Sequence, residues 1–317
     1  MNKRILTVTL NPALDEWAEV PGFRADREFR IGRLSRSAGG KGVNVTRTLR
    51  NLRVPCLATG FAGANAGAIL QCKLDEEGIV HDFVPISGET RTNVTIFDPK
   101  TGKTGRIIQK GPEISSRERG EFLKKFRRLL GQTSLVVLSG SLPPGIPSGF
   151  YADLIRVSRA YKIPAVVDTS GPALPAAWKA GPFMVKPNRS EAESLSKREL
   201  NSMAGIKRAV KYAGACGIEQ VIVSLGQQGA LFAGGGFSAR LKLPVLYPGH
   251  HSVGCGDALV GGFVAAWSLG YSREECCHWA LAAGTANCAQ SLPGDIDPGR
   301  FRRLLGRITT HKFSADR

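Results

Sequence analysis

From Ser115 onward the chain alternates short apolar runs with segments of helical periodicity, and this alternation limits the possible folds more than any other feature. The runs at 135–138, 164–167, 183–185 and 220–223 are almost entirely apolar. Strands buried on both faces have this composition, and strands separated by helices pair in parallel. The sequence therefore predicts an α/β fold, with a mostly parallel central sheet covered by helices on both faces.

Two β-rich pieces, 12–35 and 88–111, interrupt this pattern in the first third of the chain. The second contains runs at 92–97 and 105–109 joined by a polar loop, which is typical of a hairpin. Both pieces leave and rejoin the α/β part near the predicted ligand edge of its sheet. We expect them to form a small β-sheet lid that excludes water. The large domain is then made of residues 1–11, 36–87 and 112–317.

The composition is that of a globular protein and leaves room for one large domain or two smaller ones. Of the 317 residues, 42% are hydrophobic and 22% are charged. No apolar run approaches the roughly 20 residues of a membrane span, and the N-terminal residues lack a signal-peptide pattern. The seven cysteines are odd in number and form no CxxC pair, which favours reduced thiols. We therefore expect a cytoplasmic protein with no membrane partner.

The formal net charge of +17 raises the question of a nucleic-acid partner. Basic residues cluster at 124–128 and 300–307, but leucine and phenylalanine recur there at helical spacing, which is typical of solvated helix faces. Aromatic residues make up 7% of the chain and do not alternate with the basic ones, so no stacking platform for bases is predicted. A basic field also attracts small polyanions. We expect a small anionic ligand and no nucleic acid.

The stretch Gly254-Cys255-Gly256-Asp257 is the strongest candidate for a reaction centre. Two glycines around a small residue allow a tight turn, and the apolar run from Leu259 to Leu269 predicts a helix directly after it. The N–H groups and the dipole of such a helix N-terminus attract an anion. A carboxylate has the wrong charge for binding that anion, so Asp257 is a candidate general base for phosphoryl transfer to a hydroxyl. The alternative is an ordinary glycine turn in which Asp257 caps the helix.

Polar residues also follow five predicted strands, at the edge where ligands of α/β sheets gather. Any one such loop is more often an ordinary connection, but five at one sheet edge favour a binding site. At one helix start, Asn188 and Glu191 stand three residues apart, and their oxygens suit either Mg²⁺ or a helix cap. The turn 39–42 can bring N–H groups and one ammonium to an anion, with Asn44 available for hydroxyls. Arg91 is either a phosphate clamp or a solvated arginine of the lid. The polar positions after the strands begin at Asn11, Ser139, Asp168, Lys186 and Ser224.

Six motifs together resemble the ribokinase-like (PfkB) carbohydrate kinases over essentially the whole chain. The resemblance implies a three-layer α/β/α sandwich with a small β-sheet lid. Lys41 in the glycine turn and the run Glu89–Asn93 make the chain most similar to the phosphosugar branch, which holds tagatose-6-phosphate kinases and 1-phosphofructokinases. The motifs are Thr9–Asp15, Ala38–Val45, Ser139–Pro143, Val185–Glu191, Ser224–Gly226 and Gly254–Asp257.

This resemblance implies an ATP- and Mg²⁺-dependent phosphotransferase that converts a ketohexose monophosphate, tagatose 6-phosphate or fructose 1-phosphate, to the bisphosphate. Asp257 would be the base, and the N–H groups of Gly254, Cys255 and Gly256 would form the anion hole. Asn188 and Glu191 would lie by Mg²⁺. The implied substrate-binding residues are Asp15, Gly39, Gly40, Lys41, Asn44, Arg91 and Ser139, with Lys41 and Arg91 on the existing phosphate. The implied nucleotide-binding residues are Lys186, Asn188, Ser224, Gly226 and Gly229.

Other functions stay open beside this one. The acceptor can instead be fructose 6-phosphate or an unphosphorylated sugar or nucleoside. From a different class, the basic surface can belong to a nucleic-acid-binding or regulatory protein on a kinase scaffold. An exposed lid sheet can also pair with a second copy and form a homodimer.

Cys255 departs from the family, whose members commonly have Ala or Ser at this position. Because the anion hole is made of backbone, activity should survive the change. A thiol at a helix N-terminus can have a lowered pKa, so Cys255 is a candidate for oxidation.

Overall fold

The computed structural model describes residues 3–197, 203–243 and 253–314. The loop predicted at 247–251 lies outside these ranges. Within them the helices are α1 (Lys41–Asn51), α2 (Ala64–Glu76), α3 (Ser116–Leu130), α4 (Phe150–Ala160), α5 (Ala173–Lys179), α6 (Arg189–Ser196), α7 (Met203–Ala215), α8 (Cys255–Ser268), α9 (Arg273–Asn287) and α10 (Pro298–Leu305). The strands are β1 (Arg4–Thr9), β2 (Ala13–Glu19), β3 (Arg33–Gly39), β4 (Cys56–Gly63), β5 (Val84–Ile86), β6 (Arg91–Asp98), β7 (Lys103–Ile107), β8 (Thr133–Ser139), β9 (Ala165–Asp168), β10 (Met184–Val185), β11 (Gln220–Ser224), β12 (Ala230–Gly234), β13 (Phe237–Lys242) and β14 (Thr309–Lys312).

The described strands form one sheet of ten strands and a second of four. The large sheet has the order β14-β13-β12-β11-β10-β9-β8-β1-β4-β5. In the part of this order that runs from β11 through β8 and β1 to β5, all adjacent strands pair in parallel. Strands β12, β13 and β14 are added antiparallel at one edge. The predicted α/β class with a mostly parallel sheet is confirmed.

Side-chain alternation along β8 explains the layers on both faces of this sheet. Val136 and Leu138 pack into a cluster with residues of α3, α4, α5 and α7, whereas Leu135 and Val137 pack with α1, α8 and α9. Successive side chains of a strand point to opposite faces, so an entirely apolar strand must be covered twice. The result is a three-layer sandwich in which helices on either side bury the central sheet.

The small sheet has the order β3-β2-β6-β7 and is built from the two β-rich pieces of the first third of the chain. Strands β2 and β6 pair in parallel, and the other two pairs are antiparallel. Strands β2 and β3 are regular and pair in continuous register. Strand β3 also continues to Gly39, past the expected end of its piece at residue 35, and so leads directly into α1.

Some elements escaped sequence-based prediction because they are short or exposed. Strand β14 has four mostly exposed residues, and its position in the sheet depends on pairing with β13 far away in the chain. Ser272 and Glu275 form a capping box at the start of α9. The glycine tract 234–236 forms the turn between β12 and β13. No helix in the described part of the chain has the length and apolar character required to cross a membrane.

Candidate active site

The site lies at the carboxyl ends of the parallel strands, where the strand order reverses. The chain passes from β1 to β4 on one side of the sheet and later resumes with β8 on the other side of β1. A crevice at such a reversal is the usual ligand site of an open α/β sheet. Here Asn11, just after β1, donates from Nδ2 to Ser141 Oγ at 3.3 Å across the reversal.

The N-terminus of α8 points its first amides toward this crevice. Gly254 is the N-cap, at φ +82°, and no side chain caps the helix. A Cβ atom at Gly254 would lie 2.7 Å from the Cα of Pro293 and from the nitrogen of Gly294, so only glycine fits. The first amides of a helix have no partner within the helix, and α8 therefore offers an anion site at Cys255, Gly256 and Asp257.

Asp257 lies in the first turn of α8 and is 6% exposed. Burial raises the pKa of this carboxyl to about 6, and the neighbouring charge of Asp168 adds to the rise. The ammonium groups of Lys41 and Lys186 and a hydrogen bond from Asn44 oppose it. Asn44 donates that bond from Nδ2 to Asp257 Oδ2 at 2.8 Å. A buried carboxylate whose pKa lies near neutrality is suited to general-base chemistry.

Two lysines converge on Asp168, which ends β9 and is 1% exposed. Lys186 Nζ lies 3.3 Å from Asp168 Oδ1, and Lys41 Nζ lies 3.4 Å from the same oxygen. The pKa of Lys41 is raised mainly by Asp168, so the ammonium remains charged. A Cβ atom at Gly256 would lie 3.3 Å from Lys186 Nζ, which places that charge directly against the start of α8. Asp168 was noted in the sequence only as a polar residue after a strand, and its link to both lysines required the fold.

Arg47 is a site residue that the sequence reasoning missed. Its fully buried guanidinium binds both carboxylate oxygens of Glu77, at 2.6 and 2.8 Å, and also donates to the carbonyl oxygens of Ala38 and Pro293. One Nη1 hydrogen bond, of 3.1 Å, goes to Asn44 Oδ1. Because Arg47 can only donate, it fixes the Asn44 oxygen toward itself and the Nδ2 group toward the base. The sequence feature that could have identified Arg47 is its spacing of three residues from Asn44, which puts both on one face of α1.

Asp15 stands opposite the α8 end of the site, on β2 of the small sheet. Asn93 of β6 donates from Nδ2 to Asp15 Oδ1 at 2.8 Å. Burial raises the pKa of Asp15, while Asn93 and nearby arginines lower it. A Cβ atom at Gly39 would collide with the Asp15 carboxylate, so the glycine of β3 is what makes room for this side chain. Gly40 follows as the N-cap of α1.

Arg91 is the first residue of β6, and its guanidinium is hydrogen-bonded to the backbone. Its guanidinium donates to the backbone oxygens of Asn11 at 2.9 Å, Gln109 at 3.0 Å and Pro12 at 3.4 Å. Burial lowers its pKa from the usual value. It thus joins the chain after β1 to the chain after β7. A cavity of about 550 Å³ opens beside it, lined in part by Glu89, Gln109, Lys110 and Glu113.

The residues implied for the nucleotide lie farther along the same edge, after β10 and β11. Asn188 and Glu191 form a capping box: Asn188 Oδ1 accepts from the Glu191 amide at 2.9 Å, and Glu191 Oε2 accepts from the Asn188 amide at 2.8 Å. The capping alternative is thus present at the start of α6. Asn188 also bridges to Ser224, and Gly226 and Gly229 bound the short turn that follows. No group of three His, Cys, Asp or Glu side chains placed to hold a metal occurs among the described residues.

Ser139 is the one implied site residue that lies behind the crevice and not in it. It is fully buried, and its hydroxyl donates to the backbone oxygen of Asp168 at 3.4 Å. Contacts of the other implied residues link Lys41 and Lys186 to Asp168, and Asn44 to Asp257.

Comparison with known proteins identifies the class of enzyme to which this chain belongs. The sequence profile described as pfkB family carbohydrate kinase matches residues 9–298, and the chain belongs to this family. The family resemblance seen in the motifs is therefore confirmed.

Solved structures agree with this assignment. Escherichia coli phosphofructokinase-2, in complex with potassium, is 28% identical and has a TM-score of 0.90 over 96% of this chain and 98% of that chain. A Thermotoga maritima structure described as a possible 1-phosphofructokinase is also 28% identical, with a TM-score of 0.88 over 98% and 100% of the two chains. Arabidopsis thaliana ribokinase, complexed with ribose and ATP, shares the fold at 21% identity, with a TM-score of 0.77 over 96% and 99%. The ribokinase-like α/β/α fold is confirmed.

Proposed function

We propose that this carbohydrate kinase transfers the γ-phosphoryl group of ATP to a ketohexose monophosphate, tagatose 6-phosphate or fructose 1-phosphate, with Asp257 as the general base. The observation that carries the proposal is the position of Asp257. It is a buried carboxylate with a pKa raised to about 6, at the N-terminus of α8 and next to two buried or half-buried lysines. A base and an anion site in one turn of helix suit phosphoryl transfer to a hydroxyl.

Each part of the site has a distinct task in this reaction. Asp257 Oδ1 or Oδ2 accepts the proton of the attacking hydroxyl, while Asn44 holds the carboxylate in place. The amides of Cys255 and Gly256 face the charge that develops on the transferred group. Lys186 neutralises part of the same charge, and Asp168 keeps its ammonium directed toward the start of α8. Positioning and charge stabilisation supply most of the catalysis in such a transfer.

The residues present fit a nucleotide that carries Mg²⁺. Asp168 Oδ2 is a buried carboxylate oxygen that receives no hydrogen bond from any described residue, and Asn188 and Glu191 add hard oxygen atoms nearby in the fold. Such oxygens hold Mg²⁺ or its water shell beside phosphates. Lys186, Ser224, Gly226 and Gly229 would contact the nucleotide. When bound, the metal supplies neutralisation of phosphate charge.

The acceptor carries a phosphate in this proposal because of the positive charge on its side of the crevice. Arg91 and Arg106 act on the Asp15 carboxyl, and a cavity of about 550 Å³ adjoins Arg91. The Lys41 ammonium lies beside Asp168 and near Asp257. Asp15, Gly39, Gly40 and Asn44 would bind the sugar hydroxyls. A structural relative, E. coli phosphofructokinase-2, has been solved with fructose 6-phosphate, so that sugar is the first alternative acceptor.

One observation favours a second candidate, a kinase for an unphosphorylated sugar or nucleoside. Arg91 already donates hydrogen bonds to three backbone oxygens, and a guanidinium engaged in this way has fewer donors left for a phosphate. Lys41 is then the main cation available on this side of the site.

An ADP-release assay over a panel of phosphosugars and free sugars tests both candidates. We expect turnover with a ketohexose monophosphate, and we expect Lys41→Met to raise its KM by about 10- to 100-fold, as loss of a charged hydrogen-bonding partner implies. The matched control is Lys124→Met, which removes an exposed lysine of α3 and should leave KM unchanged. Turnover restricted to neutral sugars, with KM insensitive to Lys41→Met, would establish the second candidate instead.

The small sheet is proposed to act as a lid and as a dimer surface. The lid pieces are residues 12–35 and 88–111, with the end of β3 adjoining, and the rest of the chain forms the large domain. Several large apolar side chains on and beside this sheet are exposed, namely Ile31, Leu34, Ile107 and Ile108. Apolar residues exposed at the edge of a sheet favour pairing with a second copy. We propose a homodimer formed through this sheet, and a cytoplasmic enzyme with no nucleic-acid or membrane partner.

A further inference from the structure

Two cysteines meet at the proposed anion site, although they lie far apart in the sequence. Cys255 is the first residue of α8, and Cys288 is the C-cap of α9. Their Sγ atoms are 2.7 Å apart, and both residues are reduced thiols of intermediate exposure. A disulfide has an S–S length of about 2.0 Å, so a shift of about 0.7 Å would form the bond.

Backbone packing holds these two sulfurs together. Helices α8 and α9 approach so closely that a Cβ atom at Gly284 would lie 2.9 Å from the backbone oxygen of Cys255. One turn later in α9, Cys288 Sγ lies 3.4 Å from the oxygen of Gly284. The thiols are therefore neighbours because the two helices pack closely against each other.

Three of the other five cysteines differ from this pair in exposure, whereas Cys56 and Cys216 share its intermediate exposure. Cys276 and Cys277 are adjacent in sequence but are fully buried inside the helical layer. Cys72 is exposed on α2, a helix that takes no part in the proposed anion site. Only a partly exposed pair at the mouth of a site combines access for an oxidant with a partner thiol.

We propose that Cys255 and Cys288 form a reversible disulfide that switches off the kinase by displacing the first amide of α8. The effect on turnover rests on the proposed function, because it requires the Cys255 amide to face the transferred group. Formation of the bond does not depend on that function. The oxidant is a hydroperoxide, and the reductant is a small dithiol or a dithiol protein.

The reaction balances through a sulfenic acid on Cys288. The expected lowering of the Cys255 pKa is wrong, because its hydrogen bond to Cys288 and its burial raise that pKa. The same hydrogen bond lowers the pKa of Cys288, and Arg300 acts in the same direction. The Cys288 thiolate attacks one peroxide oxygen; an S–O bond forms, the O–O bond breaks, and hydroxide leaves. The Cys255 sulfur, as it loses its proton, attacks the Cys288 sulfur; the S–S bond forms, the S–O bond breaks, and water leaves. The net reaction converts two thiols and one hydrogen peroxide to one disulfide and two waters, and a dithiol reverses it by exchange.

The test treats the full chain with hydrogen peroxide, then measures both a cross-linked peptide in a non-reducing digest and the turnover rate. We expect a Cys255–Cys288 peptide and a loss of turnover of about tenfold or more, as removal of one donor from an anion hole implies. Dithiothreitol should restore both readouts. Cys288→Ser should keep its basal turnover and resist peroxide, and Cys288→Ala serves if the serine variant is poorly folded.

The matched control is Cys72→Ser, which removes an exposed thiol. On peroxide treatment this variant should lose as much turnover as the unaltered protein does. Absence of the cross-linked peptide overturns the proposal, as does a cross-linked protein with full turnover. The proposal is also overturned if peroxide reduces the turnover of Cys288→Ser as much as that of the unaltered protein. If no sugar is phosphorylated at all, the proposed function fails, while the peptide alone still decides whether the bond forms.

Discussion

The site contains two pairs of aspartate and asparagine, one with a buried and one with a partly exposed carboxylate, and they differ in how the asparagine is held. In both pairs an Nδ2 group donates to a carboxylate at 2.8 Å: Asn44 to Asp257 on the large-domain side, and Asn93 to Asp15 on the small sheet. Asn44 is fixed from its other end by the buried Arg47. Asn93 Oδ1, by contrast, is buried without a donor among the described residues.

The difference indicates that the two sides of the crevice have different functions. Arg47 binds Glu77 and two backbone oxygens as well as Asn44, so the geometry of the base is set before any ligand arrives. The Asp15 pair lies between strands of a sheet with an exposed outer face and is held by fewer bonds. Preorganisation is most valuable where charge develops in the transition state, which the proposed mechanism places at Asp257. We expect changes at the first pair to reduce kcat and changes at the second to raise the acceptor KM.

The largest effect is expected for Asp257→Asn. The amide keeps the shape of the side chain but cannot accept the proton, so kcat should fall by about 10²- to 10⁴-fold. Binding of ATP should stay close to normal, because the nucleotide residues are unchanged. Steady-state kinetics and calorimetric titration with a non-hydrolysable ATP analogue measure the two quantities. Turnover near that of the unaltered enzyme would refute the assignment of the base.

A smaller effect, of another kind, is expected for Asp15→Asn. Loss of a charged hydrogen-bond acceptor for the sugar should raise the acceptor KM by about 10- to 100-fold, with a much smaller change in kcat. The same assay, run with varied acceptor at saturating ATP, separates KM from kcat. If kcat falls as far as in Asp257→Asn while KM is constant, the two carboxylates do not divide the work as proposed.

The pH profile should distinguish the two asparagines. Asp257 acts as a base only when deprotonated, and its pKa is raised to about 6, so kcat should fall on the acid side of about pH 6. The Asn44 hydrogen bond lowers this pKa. Asn44→Leu should therefore move the acid limb to higher pH.

The control for that experiment is Asn93→Leu, which removes the matching bond from Asp15. It should leave the acid limb where it is and change the acceptor KM. An acid limb that shifts equally in both variants would show that the profile reports general loosening of the site and not the titration of Asp257.

A further effect concerns stability and not turnover. A carboxyl whose folded pKa is raised from 3.8 to about 6 favours folding only below pH 3.8, and that contribution is lost as the pH rises through 6. At pH 8 the ionised Asp257 thus destabilises the fold, by up to about 3 kcal/mol. Asp257→Asn should raise the free energy of unfolding at pH 8 and change it little at pH 4. Urea denaturation at both pH values measures this, and equal shifts at the two would contradict the linkage.

Much of the site could be predicted from local patterns. The turn before α8, the helix cap at Asn188 and Glu191, and the strands after which Asp168 and Lys186 stand are all encoded within a few residues. Arg47 could not be found in this way, since its partners Glu77 and Pro293 come from distant segments. For the same reason the sequence could not show that Arg91 donates to the backbone on both sides of the small sheet.

The sequence by itself determined the α/β class, the parallel sheet and the family, because alternation of apolar runs and glycine turns is a local property of the chain. It also marked Asp257 as a candidate base next to a predicted anion site. Tertiary structure alone decided which side chains hold that base and which thiol faces Cys255. Those contacts join residues from helices and loops distant in sequence, and only packing of α1, α8 and α9 against one face of the sheet brings them within hydrogen-bonding distance.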